Sequence, residues 1–373
     1  MNSVIKYWVG FNNIPGIGHV RLLQLEKHFN GLEAAWAASP GELKRAGLDG
    51  PALRAISQYR DKISPDDEMA KLEKLHIQVL TCKDSAYPPR LKEIYDYPPV
   101  LYLRGALLPE DEYCVAVVGT RRATVYGKQV TEELVTDLAR SKITIVSGLA
   151  RGIDTVAHRT ALEAGGRTVA VFACGLDMVY PPENENLARE ITAHGALISE
   201  YPLGARPRAE NFPRRNRILS GLSLGVLVTE ADEDSGALIT AADAIEQDRE
   251  VFAVPGSVLS PASRGTNRLI QKGEAKLVRA YTDILEELNL MTVARQMEMR
   301  EILPESETES SLLKYLSAEP SHVDEVCRKS GLPAATVSGT LAMMELKGMV
   351  KQVGAMNYVL ARELREEYRV KVE

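Results

Sequence analysis

Six short apolar runs constrain the fold of this chain more than any other feature. They read "YCVAVVG", "KITIVSG", "RTVAVFACG", "GALISEYP", "LGVLVTEA" and "EVFAVPG", all between Tyr113 and Gly256. Rich in Val and Ile, most of them do not alternate with polar residues, which is how strands buried on both faces read. Helical patterns separate several of the runs. Val130, Leu134, Val135 and Leu138 share one face, as do Ile153, Val156, Ala157 and Ala161, and again Leu238, Ala241, Ala242 and Ile245. Strand–helix–strand alternation implies parallel strands joined by right-handed crossovers. The expected fold class is α/β, a Rossmann-like, doubly wound, mostly parallel sheet over residues 113–288.

The flanks read differently, and 373 residues leave room for two or three domains. Residues 1–62 show short helical patterns. In "NNIPGIGHVRLLQLEKHF" a Pro-Gly turn precedes Leu22, Leu25 and Phe29 on one face, and Ser39 with Pro40 forms a helix entry. Residues 63–112 form a Pro-rich connector expected to pack along the central domain. Residues 289–310 are polar and aperiodic, a linker. Residues 311–361 give three helical patterns and then two strand-like pieces around Gly354, the order of a winged helix–turn–helix; residues 362–373 are a tail. The four cysteines lie far apart without CxxC, as reduced packing thiols of a cytoplasmic protein would. No apolar stretch approaches the roughly 18 residues of a membrane span, and the start does not read as a signal peptide.

Net charge is −6, which argues mildly against nucleic acid. The charge is uneven, however: residues 206–217 hold five arginines against one acid, Glu210. Screening confines each charge to a neighbourhood of about 8–10 Å, so a local patch can still hold phosphate. The strand-like runs end in Gly119, Ser147-Gly148, Cys174-Gly175, Glu200, Glu230-Ala231 and Pro255-Gly256. Ligands of open parallel sheets sit outside such ends, and helices starting there aim N–H groups at an anion. The candidates beside them are Arg121 and Arg122 after the first run, and Arg214, Arg215 and Arg217 in "NFPRRNRILSGLS". Phe212 is the best-placed stacking aromatic. On a helix Arg214 and Arg217 project together, Arg215 about 100° round, while Ile218 and Leu222 face the sheet. The competing reading ties one of the three to an acid such as Glu200 or Glu230.

Several chemistries are poorly supported. "VVGTRRATVYGK" is not GxGxxG, and as a P-loop it has Arg122 for the first glycine and Gln129 for the metal-holding hydroxyl. Asp154 and His158 stand four apart, a spacing that more often makes a helix contact or cap than an acid–base pair. No histidine spacing suggests a metal.

At these residues the chain strongly resembles the DNA-processing protein A family (DprA/Smf). The matching pieces, in order, are "VVGTRRATVYG", "VSGLARGIDTVAH", "ACGLDMVYPPEN", "ISEYPLG", "NFPRRNRILSGLS", "DSGALITAADA", "REVFAVPG" and "GTNRLIQKGE". Thr120, Ala237 and Glu274 depart mildly from the usual pattern. The resemblance implies a protein without enzymatic activity or cofactor. It would bind incoming single-stranded DNA, form a homodimer and load the RecA recombinase in natural transformation. Carried over by motif, Arg121, Gly148, Arg215, Asn216, Arg217 and Gly236 would contact phosphate, with Arg122, Arg151, Phe212 and Arg214 as additional candidates. Two rivals remain. Phosphoribohydrolases of the same fold class need carboxylates where "DEDSGALITA" has Ile239 and Thr240. A winged-helix transcription regulator would need bases on the recognition helix, and "AATVSGTLAMMELKG" offers Lys347 alone.

Overall fold

A computed structural model of the chain describes residues 4–291, 306–317, 319–347, 349–354 and 356–360. The expected tail lies outside the described residues, and the expected linker is described only at its two ends. The chain divides into two compact units, residues 1–290 and 291–373.

The first unit is built on a nine-stranded sheet. Its strands are β1 (Gln78–Thr81), β2 (Val100–Gly105), β3 (Cys114–Val118), β4 (Thr144–Ser147), β5 (Thr168–Phe172), β6 (Gly195–Ser199), β7 (Gly225–Val228), β8 (Glu250–Ala253) and β9 (Lys276–Leu277). In space they run β1-β2-β6-β5-β4-β3-β7-β8-β9. From β6 to β9 all pairings are parallel, and β1 and β2 add antiparallel strands at one edge. The Pro-rich connector therefore enters the sheet instead of only lying along it. Every residue of β3 to β7 is buried, as runs without alternation require when helices cover both faces. From β3 the chain steps outward through β4 and β5 to β6, then returns to the other side of β3 for β7 and β8. The order reverses beside β3, and the crevice outside the carboxyl ends of β3 and β7 is where an open α/β sheet binds its ligand.

The N-terminal helices share the core of the sheet: Trp8, Phe11, Leu22, Leu25 and Leu32 are buried in one cluster with strand residues. The Asn12 amide donates to the Tyr102 hydroxyl (3.2 Å) and to the Glu200 carbonyl (3.1 Å), tying the first helix to the sheet. Ser39 caps its helix in a reciprocal box with Glu42. All four cysteines are free thiols. No described helix is long and apolar enough to cross a membrane.

The helix Ala237–Glu246 differs from expectation. It buries Ala237, Thr240, Ala241 and Ala244, while Ala242 and Ile245 are exposed. Small residues allow close packing here, so the larger apolar side chains are not the inward ones. On this helix Asp243 is half-buried with an unpartnered Oδ2, and burial together with Glu246 pushes its carboxyl up to about 6. The unfolded chain ionises this group near pH 4. The folded state therefore holds an extra proton between about pH 4 and 6, and stability falls as pH rises through that window. Asp243→Asn should be more stable than the wild type above pH 6, by about 1 kcal/mol after allowing for partial exposure. Below pH 4 the advantage should vanish; melting temperatures across pH 4–8 that show a constant offset would contradict this.

The second unit has helices Glu307–Leu313, Val323–Ser330 and Ala334–Leu346 and a small sheet, one strand of which lies between the first two helices and two after the third. Strands β10 (Ser321–His322), β12 (Asn357–Leu360) and β11 (Val350–Gln352) lie side by side in that order. Leu312, Val326, Val337, Leu341 and Met344 form its core. The third helix exposes Met343 and Leu346, and Lys347 is bonded to Glu309 at 2.9 Å.

Candidate nucleic-acid interface

The crevice beside β3 holds a cleft of about 500 Å³. Its walls come from the loop after β3, the start of the loop after β4, the helix Asn211–Leu222 and the loop after β7. These loops are locked together. Gly152 has a left-handed φ of 77°, and a Cβ there would run into the Thr120 carbonyl and the Arg121 backbone. Glu230, at the end of β7, is buried and accepts from the Thr124 N–H (2.9 Å) and hydroxyl (2.6 Å). Thr124 in turn caps the helix Val125–Arg140 by accepting from the Gly127 N–H (3.1 Å). Glu230 thus latches the Arg121–Arg122 loop, and among the described residues it pairs with no arginine.

Arg215 occupies the centre of the arrangement and is 3% exposed. It lies on the same inward stripe as Ile218, Leu219 and Leu222. Its Nη1 donates to the Gly148 carbonyl (2.8 Å) and to the Val171 carbonyl, bracing the carboxyl ends of β4 and β5. Asp154, fully buried, accepts from the N–H groups of Gly148 (3.1 Å) and Ala150 (3.3 Å). Burial pushes this carboxyl up, and Arg215 and the two amides oppose the shift. Two expectations change here. Gly148 has its N–H engaged and its α-carbon covered by the Arg215 guanidinium, so it offers no backbone donor to a phosphate. Arg215 is a strut that also lines the cleft, because a helix whose start is at the rim must turn one of its first residues onto the sheet.

The exposed cations are Arg121 and Arg122, both on the cleft wall. The Arg121 guanidinium lies over the Phe212 ring, 5.1 Å from its centroid, and Phe212 lies 5.6 Å from the Tyr180 ring. This makes a cationic–aromatic ledge at the mouth, its two rings tilted at 55°. Asn216 lines the cleft, donating to the Gly236 carbonyl (3.3 Å) and accepting from Arg215 Nε (3.3 Å). Gly236 opens the helix Ala237–Glu246 at the cleft; the Ala237 N–H donates to the Ser235 hydroxyl (3.3 Å) and the Leu238 and Ile239 N–H groups to the Ser235 and Gly236 carbonyls (3.0 and 3.2 Å), so what this start presents is the positive end of the helix dipole.

Five candidates lie apart from the cleft lining: Gly148 and Phe212, described above, and Arg217, Arg214 and Arg151. Arg217 forks onto Glu200 (3.0 and 2.8 Å) and reaches Asp96 (3.2 Å), with both Arg217 and Glu200 side chains mostly buried. Burial alone would lower its pKa; Glu200 and Asp96 outweigh that and raise it. The acid-paired arginine of the triplet is therefore Arg217. Arg214 is exposed, and Arg151 pairs with Glu183.

Asp154 and His158 do not bond each other. The His158 Nδ1 meets the Thr168 hydroxyl at 2.7 Å, and burial, with Arg215 nearby, pushes the ring down to about 3, so it is neutral at ordinary pH. Among the described residues no His/Cys/Asp/Glu cluster is arranged to hold a metal. The cleft is not uniformly positive: exposed Asp232 and Asp234 line the wall formed by the loop after β7. Sequence reading passed over them, although they stand in a strand-end loop, the position that singled out the glycines. It also passed over the Asp154 clamp, whose signal was an acid in the first turn of the helix Ile153–Glu163. Nothing in the sequence marked Tyr180.

Comparison with known proteins bears on this geometry. The model of the family described as DNA recombination-mediator protein A matches residues 78–289, and that of the DprA winged helix domain matches residues 298–356. Protein Smf of Synechocystis sp. is 36% identical over 96% of this chain and 99% of its own length. DNA processing protein DprA of Bacillus subtilis is 41% identical over 68% of this chain and 88% of its own. The X-ray structure of DprA from Streptococcus pneumoniae superposes with a TM-score of 0.67 at 37% identity, covering 76% of this chain and 97% of that one. That of DNA processing protein A from Helicobacter pylori, determined to describe its single-stranded DNA binding mode, gives 0.52 at 34% identity, covering 57% and 96%.

Proposed function

This chain belongs to the DNA recombination-mediator protein A family, and on that premise we propose that its strand-end cleft binds the backbone of single-stranded DNA. The observation that carries the reading is Arg121 and Arg122, exposed on one wall of the switch-point cleft, with Phe212 beneath Arg121 and the helix start at Gly236 across from them. Guanidinium forks and the positive end of a helix dipole suit phosphate oxygens. The aromatic ledge suits an unstacked base, which a single strand offers and a duplex does not. The protein acts without catalysis. In support, Asp154 spends its carboxylate on two amides, and Ile239 and Thr240 stand where a phosphoribohydrolase would carry its acids. We place it in the cytoplasm as a homodimer that protects incoming strands and loads the RecA recombinase during natural transformation. Two subunits on one strand gain affinity through effective concentration. The second unit contributes protein contacts more than duplex reading, because Lys347 is engaged with Glu309 and the neighbouring helix surface is apolar.

Fluorescence anisotropy with single- and double-stranded oligonucleotides of equal length at two salt concentrations tests the reading. The single strand should bind more tightly, across sequences, with log K falling by about 0.7 per neutralised phosphate and decade of salt. Equal affinity for the two forms would overturn it.

A further inference from the structure

A second cavity lies at the opposite end of the sheet and has no part in the cleft. It encloses about 360 Å³, within the size range of small-molecule sites. Its floor is Cys114 at the start of β3, with Val146 and Val169 of the neighbouring strands and Leu222 at the far end of the Asn211–Leu222 helix. Its rim is the connector 85–90 and the loop 107–112 between β2 and β3. The apolar floor excludes a polyanion or a sugar.

One cation faces this space. Arg90 is half-buried on the rim, and its charge is felt at the Cys114 thiol. Its Nε is sealed from solvent without a partner, and among the described residues no carboxylate pairs with it. A ligand in the cavity does not reach that sealed Nε, but the guanidinium carries further N–H donors that fork onto a carboxylate. Of the two acids on the lining, Asp111 is already neutralised: Arg167 bonds both its oxygens at 2.8 Å, and the Thr144 hydroxyl adds a third bond at 2.8 Å. Glu112 is exposed and can turn to solvent. The space thus combines an apolar chamber with a single unpaired fork at its lip.

We propose that this cavity is a binding site for a small apolar carboxylate, its hydrocarbon against Val146, Val169 and Leu222 and its carboxylate on Arg90. The inference is independent of the DNA reading, since the cavity opens at the amino ends of the strands and the cleft at their carboxyl ends.

Calorimetric titration of the full chain with octanoate, 1-octanol and octylamine tests it. Octanoate should bind saturably and more tightly than the alcohol, and the amine should not bind. Arg90→Met keeps the apolar stem and should weaken octanoate by about tenfold or more, the usual worth of a charge-assisted bond, leaving octanol unchanged. Ala86→Trp fills the space from an exposed lip position without touching the core and should abolish binding of both, while single-stranded DNA binding stays at the wild-type level. Absence of octanoate binding, equal affinity for acid and alcohol, or unchanged binding in Arg90→Met or Ala86→Trp would each overturn the assignment.

Discussion

Arg121→Ala is expected to weaken single-stranded DNA binding by about tenfold or more, alike for all sequences, because a charge-assisted bond to phosphate is worth about 1.5–3 kcal/mol. The variant also removes the cation from above the Phe212 ring. Its salt dependence should flatten by about 0.7 in the slope of log K against log[salt]. Arg217→Ala is the informative contrast. Arg217 is 14% exposed with its fork occupied by Glu200 and Asp96, and Glu200 is itself 13% exposed. Removing the arginine strands a mostly buried carboxylate, so stability should fall by about 3 kcal/mol while the salt slope of DNA binding stays as in the wild type. Anisotropy at three salt concentrations and urea unfolding of both variants decide the matter. A flattened slope in Arg217→Ala together with an unchanged one in Arg121→Ala would move the phosphate track away from the cleft.

The second large effect concerns Arg215. Arg215→Met retains much of the buried volume but leaves two strand-end carbonyls without their donor and removes the nearby positive charge that favours the Asp154 carboxylate. Each buried acceptor left without its donor costs about 1–3 kcal/mol. Replacing Asp154 by Asn removes the carboxylate charge while an amide oxygen can still accept from Gly148 and Ala150. The double variant should therefore regain part of the loss, with a coupling above about 0.5 kcal/mol in a double-mutant cycle. DNA affinity should fall in Arg215→Met, since the loops that present Arg121 lose their brace. A cost below 1 kcal/mol with no coupling to Asp154 would show that Arg215 is not the strut its contacts describe.

The fold class was readable because burial on both faces leaves a direct signature: Val115–Val118 and Thr144–Ser147 have no polar alternation to hide. Strand order left no such trace, since one apolar run pairs as well as another and only packing decides that β7 lies beside β3. In "PPVLYLRG" the prolines drew attention to a connector, yet Val100–Leu103 are four buried residues of β2. The site was legible by position and less so by role. An arginine reads as a surface cation, and a single chain cannot show that the backbone carbonyls at Gly148 and Val171 will be left facing it. The same rule of strand ends that found Arg121 and Arg122 also covered Asp232 and Asp234, while Asn216 and Gly236 came from the family resemblance. Their charge ran against the expectation of a positive mouth, and only the assembled cleft shows the two signs on facing walls.

Hydrogen–deuterium exchange of the full chain with and without a short oligothymidylate tests the central claim most directly. The account predicts slowed exchange in peptides covering 119–124, 211–217 and 233–238 on adding the oligonucleotide, with the cavity at the other end of the sheet unaffected. Protection confined to residues 306–360, with the cleft loops exchanging as before, would contradict it.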